Sequence, residues 1–178
     1  MALMEELIKA GQSHAVEKGK HIFRCGDDGT GLYVITRGIT KAYYTTCDGK
    51  EFVKSFIAEG QIIACMQSLI EGKKSTFSLV TLTDSQVIHV SHAKFKQLLV
   101  NERYLPEVNN LLIGLALKKE QREYDFLCLS AKERYIKFMA ANPDLATRLT
   151  QIDIAHYLGI TPVALSRIRG QMDFNTTG

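Results

Sequence analysis

The chain has 178 residues, 46% of them apolar and 23% charged, which suits one or two small packed domains rather than a disordered or fibrous protein. Its net charge of +3 is too mild to name a partner, and its longest apolar run, Leu111–Leu117, is far too short to cross a bilayer. The opening stretch MALMEELIKAGQ carries two glutamates and lacks the apolar core of an export signal, so a cytoplasmic protein with no membrane partner is expected.

Leu3–Ala10 suits a short helix, and from Gly19 to Ser91 the sequence turns to β structure. The runs HIFRC, LYVIT, ITKAYYTTC, EFVKSFI, FSLVTL and QVIHVS are rich in β-branched and aromatic residues. Turn residues separate them, and Asp48-Gly49 between two such runs is a hairpin signal. Many short strands with regular turns predict a sandwich, roll or barrel. The cysteines at 25, 47, 65 and 128 form no C-x-x-C pair and are expected to be reduced and mostly packed. His89 and His92 lack a third ligand, so no metal site is expected. No nucleophile–base arrangement points to an enzyme, and no catalytic residue is assigned.

Ser91 is a plausible N-cap for a short helix, and a long helical segment follows. There Leu105, Val108, Leu112, Leu115, Lys119, Arg122 and Phe126 recur at alternating intervals of three and four. That is the spacing of a two-helix dimer seam, although a helix packed on its own domain would show it too. Ser130-x-x-Glu133 is a capping box before another apolar-periodic run, which Asn142-Pro143 ends. Residues 130–178 hold six lysines and arginines against four acids, a weak lean toward a phosphate-facing surface.

The stretch LTQIDIAHYLGITPVALSRIRG, from Leu149 to Gly170, carries most of the functional information. Thr150-x-x-Asp153 starts a helix for which Ile152, Ile154, Ala155 and Leu158 supply a buried face. Gly159 breaks it, Thr161 caps a second helix, and Pro162 suits that helix's first position. Helix, glycine turn and capped helix make a helix-turn-helix. Its second helix would present Thr161, Pro162, Val163, Ala164, Ser166, Arg167 and Arg169 to a DNA major groove, with Thr150 and Gln151 beside it. Arg167, one turn in, can reach guanine O6 and N7 or a phosphate. The helix is expected to end near Arg169, leaving the polar tail QMDFNTTG as a frayed or shortened end. A sensor module that no longer reads DNA is the competing interpretation, motivated by the mild charge and the apolar Val163–Ala164 face.

A roll, a long helix and DIAHYLGITPVALSRIRG together resemble the Crp/Fnr family of bacterial transcription regulators over nearly the whole chain. With DFLCLSAKERY, the match is most similar to the subgroup found in Bacteroidetes-type bacteria. The resemblance implies an α+β architecture: an antiparallel, cyclic-nucleotide-binding-like β-roll (1–100), a dimerisation helix (101–129) and a helix-turn-helix domain (130–178). It also implies a homodimer, a palindromic double-stranded DNA site, and RNA polymerase as a further partner. The family's cyclic-AMP contacts align with Ala64-Cys65, Ser75-Thr76 and Lys119-Glu120, and every one of these groups is changed. A cysteine cannot accept the ribose hydrogen bond as a carboxylate does. The resemblance therefore points away from cyclic AMP, with no cofactor expected and a small anionic ligand near Lys74 and Lys119 left open.

Overall fold

The computed structural model describes residues 2–28 and 30–175. Helix α1 (Ala2–Ala10) is followed by strands β1 (Gln12–Val16), β2 (His21–Phe23), β3 (Leu32–Arg37), β4 (Thr40–Thr45), β5 (Glu51–Ile57) and β6 (Ile62–Ala64). Then come helix α2 (Met66–Glu71), strands β7 (Ser78–Thr81) and β8 (Ser85–Val90), and helix α3 (His92–Leu99). All strand pairs are antiparallel, in two four-stranded sheets of order β1-β8-β3-β6 and β2-β7-β4-β5. Strand β1 and helix α2 fall outside the sequence expectation, because QSHAV is largely exposed and MQSLIE is a single short helix.

Two inner faces meet over Phe23, Tyr33, Ile35, Ala42, Ile57, Phe77, Leu79 and Val87. A second cluster joins Leu3 and Leu7 of α1, and Phe95 and Leu98 of α3, to Val34, Ile88 and Val90. The helices therefore cover the outer face of the first sheet, as burial of its apolar residues requires. Ser91 caps α3 by accepting from Lys94 N at 3.4 Å. Of the four free cysteines only Cys65 is buried, so the expectation of mostly packed thiols fails at Cys25, Cys47 and Cys128, which are exposed.

The long helix is α4 (Leu105–Cys128), followed by α5 (Ala131–Ala141), α6 (Pro143–Thr147), α7 (Gln151–Leu158) and α8 (Pro162–Asn175). Ser130 and Glu133 form the expected capping box of α5. Pro143 ends α5 and occupies the first turn of α6, where its missing N–H costs nothing. Among the described residues no helix is long and apolar enough to cross a membrane.

The C-terminal helices do not build a core alone. Tyr135, Phe138, Leu149, Ile154, Ala155, Leu158 and Leu165 pack with Ile39, Val53 and Phe56 from the roll. Helix α7 lies against β5, and Phe56 meets Tyr157 and Phe138 at ring-centroid distances of 5.5 and 6.2 Å.

The burial of α4 differs from what its spacing suggests. Val108 is fully buried in its own roll, with Leu111 and Leu112 packed beside it. Arg122 Nη2 donates to Val53 O at 2.8 Å and Tyr157 O at 3.0 Å, and so also faces its own protomer. Val108 and Arg122, expected on the seam, thus face their own protomer. The large apolar side chains of α4 left exposed are Leu105, Ile113, Leu117, Tyr124, Phe126 and Leu127, and among them Ile113, Leu117, Tyr124 and Leu127, with Glu120 between, again recur at intervals of four and three.

Candidate nucleic-acid interface

The helix-turn-helix begins at Thr150, whose hydroxyl accepts from Asp153 N at 3.1 Å and donates to Asp153 Oδ2 at 2.6 Å. One exposed donor of the α7 N-terminus is thus satisfied. At its other end Gly159 adopts φ 70°, and Ile160 N returns to Ala155 O at 3.0 Å. A Cβ on Gly159 would also come within 2.7 Å of the Phe126 ring, so both the backbone and the packing require glycine here. Thr161 then caps α8 by accepting from Ala164 N at 3.2 Å. Ile154, Ala155, Leu158 and Leu165 fix the crossing of the two helices. Ile152, expected on the buried face, is 55% exposed, while Asp153 turns inward in its place.

Helix α8 carries the residues that the sequence assigned to a DNA-facing surface. Thr161, Pro162, Val163, Ser166, Arg167 and Arg169 are exposed and Ala164 is half-buried; Val163 alone is 62% exposed. Neither Arg167 nor Arg169 forms an ion pair among the described residues, so both guanidiniums are available to an external anion. Thr150 and Gln151 are exposed at the start of α7, although the Thr150 hydroxyl is occupied in the cap. The helix runs 14 residues to Asn175 instead of stopping near Arg169, while Thr176–Gly178 lie outside the described residues. Its last turns carry Ile168 and Met172 onto the same core, which extends the helix past the polar appearance of the tail.

Three contacts that sequence reasoning missed hold this unit in place. Lys41 Nζ on β4 meets Asp153 Oδ1 at 2.8 Å and Glu51 Oε2 at 3.6 Å. Arg134 donates to Leu129 O at 2.6 Å and Leu158 O at 3.1 Å, closing the ends of α4 and α7. Arg122 and Arg134 each lie 4.8 Å from the Phe126 ring centroid. The Lys41–Asp153 and Arg134–Leu158 contacts join segments far apart in sequence, so no local pattern signals them.

In the roll, the structure brings Ala64, Cys65, Ser75 and Thr76 together. Cys65 Sγ lies 3.8 Å from Thr76 Oγ1, and Ser75 Oγ donates to Phe77 O at 2.8 Å. Burial pushes the Cys65 thiol up, but hydrogen bonds from the Ser68 and Thr76 backbone and from the Thr76 and Ser75 hydroxyls outweigh it and leave it below the ordinary thiol value. Lys74 does not join them, because it is exposed and lies 3.8 Å from Asp28. Lys119 and Glu120 are exposed on α4.

Residues 13–102 match the cyclic nucleotide-binding domain. The chain belongs to that family. Along 93% of its length it is 25% identical to the transcriptional regulatory protein btr of Bordetella pertussis, covering 72% of that relative. It is 24% identical to the fumarate and nitrate reduction regulatory protein of Vibrio cholerae over 88% of the chain and 66% of the relative. The solved structure of FixK2 from Bradyrhizobium japonicum superimposes with a TM-score of 0.81 at 17% identity, covering 93% of this chain and 86% of that one. Within the cyclic nucleotide-binding domain family, these matches bear out the resemblance to Crp/Fnr regulators.

Proposed function

We propose that the chain is a dimeric, DNA-binding transcription regulator of the Crp/Fnr type, in which α8 enters the major groove. The observation that carries this is a capped and glycine-hinged α8 whose outer face offers Arg167 and Arg169 without an ion-pair partner among the described residues. The unit is divided as the sequence suggests: a sensing roll (1–100), a connecting helix (101–129) and a reading head (130–178). Two copies related by a two-fold axis would place their α8 helices roughly 34 Å apart, one turn of duplex, and so select a palindromic site. The exposed stripe Ile113, Leu117, Tyr124 and Leu127 supplies the seam, replacing the register read from the sequence. RNA polymerase, as a further partner, would meet a surface other than α8. The cyclic-AMP contact positions hold Ala64-Cys65 and Ser75-Thr76, which offer neither the carboxylate nor the arginine fork of the family pattern, so an effector other than cyclic AMP is proposed.

Fluorescence anisotropy against palindromic promoter fragments from the chain's own genome tests the reading head. Arg167→Ala is expected to weaken specific binding by about 1–3 kcal/mol with unchanged thermal stability, because the side chain is exposed and unpaired. Affinity should also fall steeply with salt. Equal affinity of the variant, or binding indifferent to salt, would favour a sensor module that does not read DNA.

A further inference from the structure

The outer ridge of α8 holds a side chain that neither the fold nor polar recognition uses. Leu165 is the buried anchor of this helix, 1% exposed, and Ile168 and Met172 pack into the same core. Each helical residue turns the side chain by about 100°, so two positions carry it to the far side. Val163 stands two positions before Leu165 and Arg167 two after it. The two therefore share the ridge opposite the core, about 40° apart around the axis. Both are exposed, and Val163 lies outside the core cluster that the rest of the apolar residues of α8 join. A branched aliphatic side chain left in water adds nothing to folding. It also has no donor or acceptor to offer a phosphate or a base edge.

The surroundings decide what would cover it. From Thr161 to Met172 the chain carries two arginines and no acid, and the first turn of α8 has no acidic residue to offset the helix dipole. The first acid before the turn, Asp153, is buried and paired with Lys41. An apolar spot set in uncompensated positive charge fits a polyanion that also displays apolar groups. The major groove of duplex DNA is such a surface, and the apolar group on its base edges is the C5-methyl of thymine.

We propose that Val163 reads the C5-methyl group of a thymine and is the specificity-determining companion of Arg167. This rests on the reading of α8 as the DNA-binding helix and deepens it. Arg167 meets the two acceptors of a guanine, and Val163 supplies the apolar contact beside it. Four residues advance the helix by about 6 Å, and stacked bases rise by about 3.4 Å, so the thymine lies within about two base pairs of the guanine in each half-site. The apolar Val163 face, which motivated a sensor module without DNA reading, becomes part of the readout. Cytosine lacks the methyl group and 5-methylcytosine carries it, so methylation of a cytosine at that position would strengthen binding.

Duplexes enriched from a random library by the full chain supply the site. Each thymine near the shared guanine is then replaced by uracil, which lacks only the methyl. Fluorescence anisotropy is expected to show a loss of about three- to fivefold at one thymine per half-site, the worth of a single methyl withdrawn from water. 5-Methylcytosine there should bind more tightly than cytosine by a similar factor. Val163→Ala should bind the parent site more weakly, with the thymine–uracil difference reduced below about twofold. Its Tm should match the parent's, because the side chain lies outside the core. An enriched site indifferent to uracil at every thymine, or a Val163→Ala variant that keeps the full difference, would overturn the thymine readout and leave α8 as a DNA reader. No enrichment of any duplex would remove the DNA reading first and this inference with it, and would turn the Val163 face toward a protein partner.

Discussion

Single residues set the geometry of the reading head, and Gly159 shows how tightly. It takes φ 70°, and its missing side chain is the space that Phe126 fills. Gly159→Ala therefore combines left-handed strain with a 2.7 Å clash, and urea denaturation should show a loss of about 2–3 kcal/mol. His89 makes a second case, inside the roll. Its ring stacks on Tyr33 at 4.8 Å, and its Nε2 is buried without a hydrogen-bond partner among the described residues. Burial, then the nearby His14, lowers its pKa from the ordinary value of 6.5. In that window the unfolded chain binds the proton and the folded chain does not, so stability is full above about pH 6.5 and falls as the pH drops toward the depressed folded value. His21 is shifted in the same direction and adds to the slope. His89→Phe keeps the stack without the titration. Denaturation midpoints measured between about pH 7.5 and 5.5 should fall less steeply for it than for the parent; an unchanged slope would remove His89 from the account.

At the level of elements, α4 shows both what a sequence reveals and where it stops. The capping boxes, the Gly159 turn and the Thr161 cap were legible because each is decided within four residues. Which of its faces lies open was not, because α4 carries two apolar faces: one through Val108, Leu111 and Leu112 onto the roll, and another through Ile113, Leu117, Tyr124 and Leu127 into the open. Periodicity finds both and cannot say which belongs to the chain's own core. Arg122 was misplaced for the same reason, since a guanidinium bonded to the carbonyls of Val53 and Tyr157 resembles a surface charge until the fold is known. The β-bulge at Lys54, where Ala42 pairs with Ser55 and Tyr43 with Val53, left no trace in the pattern either, because it breaks the two-residue alternation at one position. The seam proposed above makes its own prediction. Leu117 is 59% exposed, so Leu117→Glu should leave the protomer folded while shifting sedimentation equilibrium from dimer to monomer. Arg122→Leu is not expected to do so, because that side chain faces its own protomer.

For the whole molecule, the decisive feature is that the reading head and the roll share one core. Ile39, Val53 and Phe56 reach out of the second sheet into the cluster built by α5, α7 and α8. The Lys41–Asp153 pair, both side chains nearly buried, and the exposed Arg148–Glu59 pair at 3.3 Å lie along the same junction. A head held this way cannot pivot on a linker, so a signal in the roll must work through the junction itself. It follows that the two parts should unfold together, since the head's helices bury their apolar residues against Ile39, Val53 and Phe56 of the roll. Phe56 is the test position, because its ring joins Phe138 and Tyr157 across the boundary while its backbone stays in β5. Phe56→Ala removes most of that contact and should cost about 3–5 kcal/mol. The loss should fall mainly on the head, so the single denaturant transition of the parent should split. Hydrogen exchange in α7 would then open first, while β3 and β8 keep the protection they have in the parent. A variant that still unfolds in one step, with equal exchange in α7 and β8, would mean that the junction follows the folding of the two parts and does not hold them together.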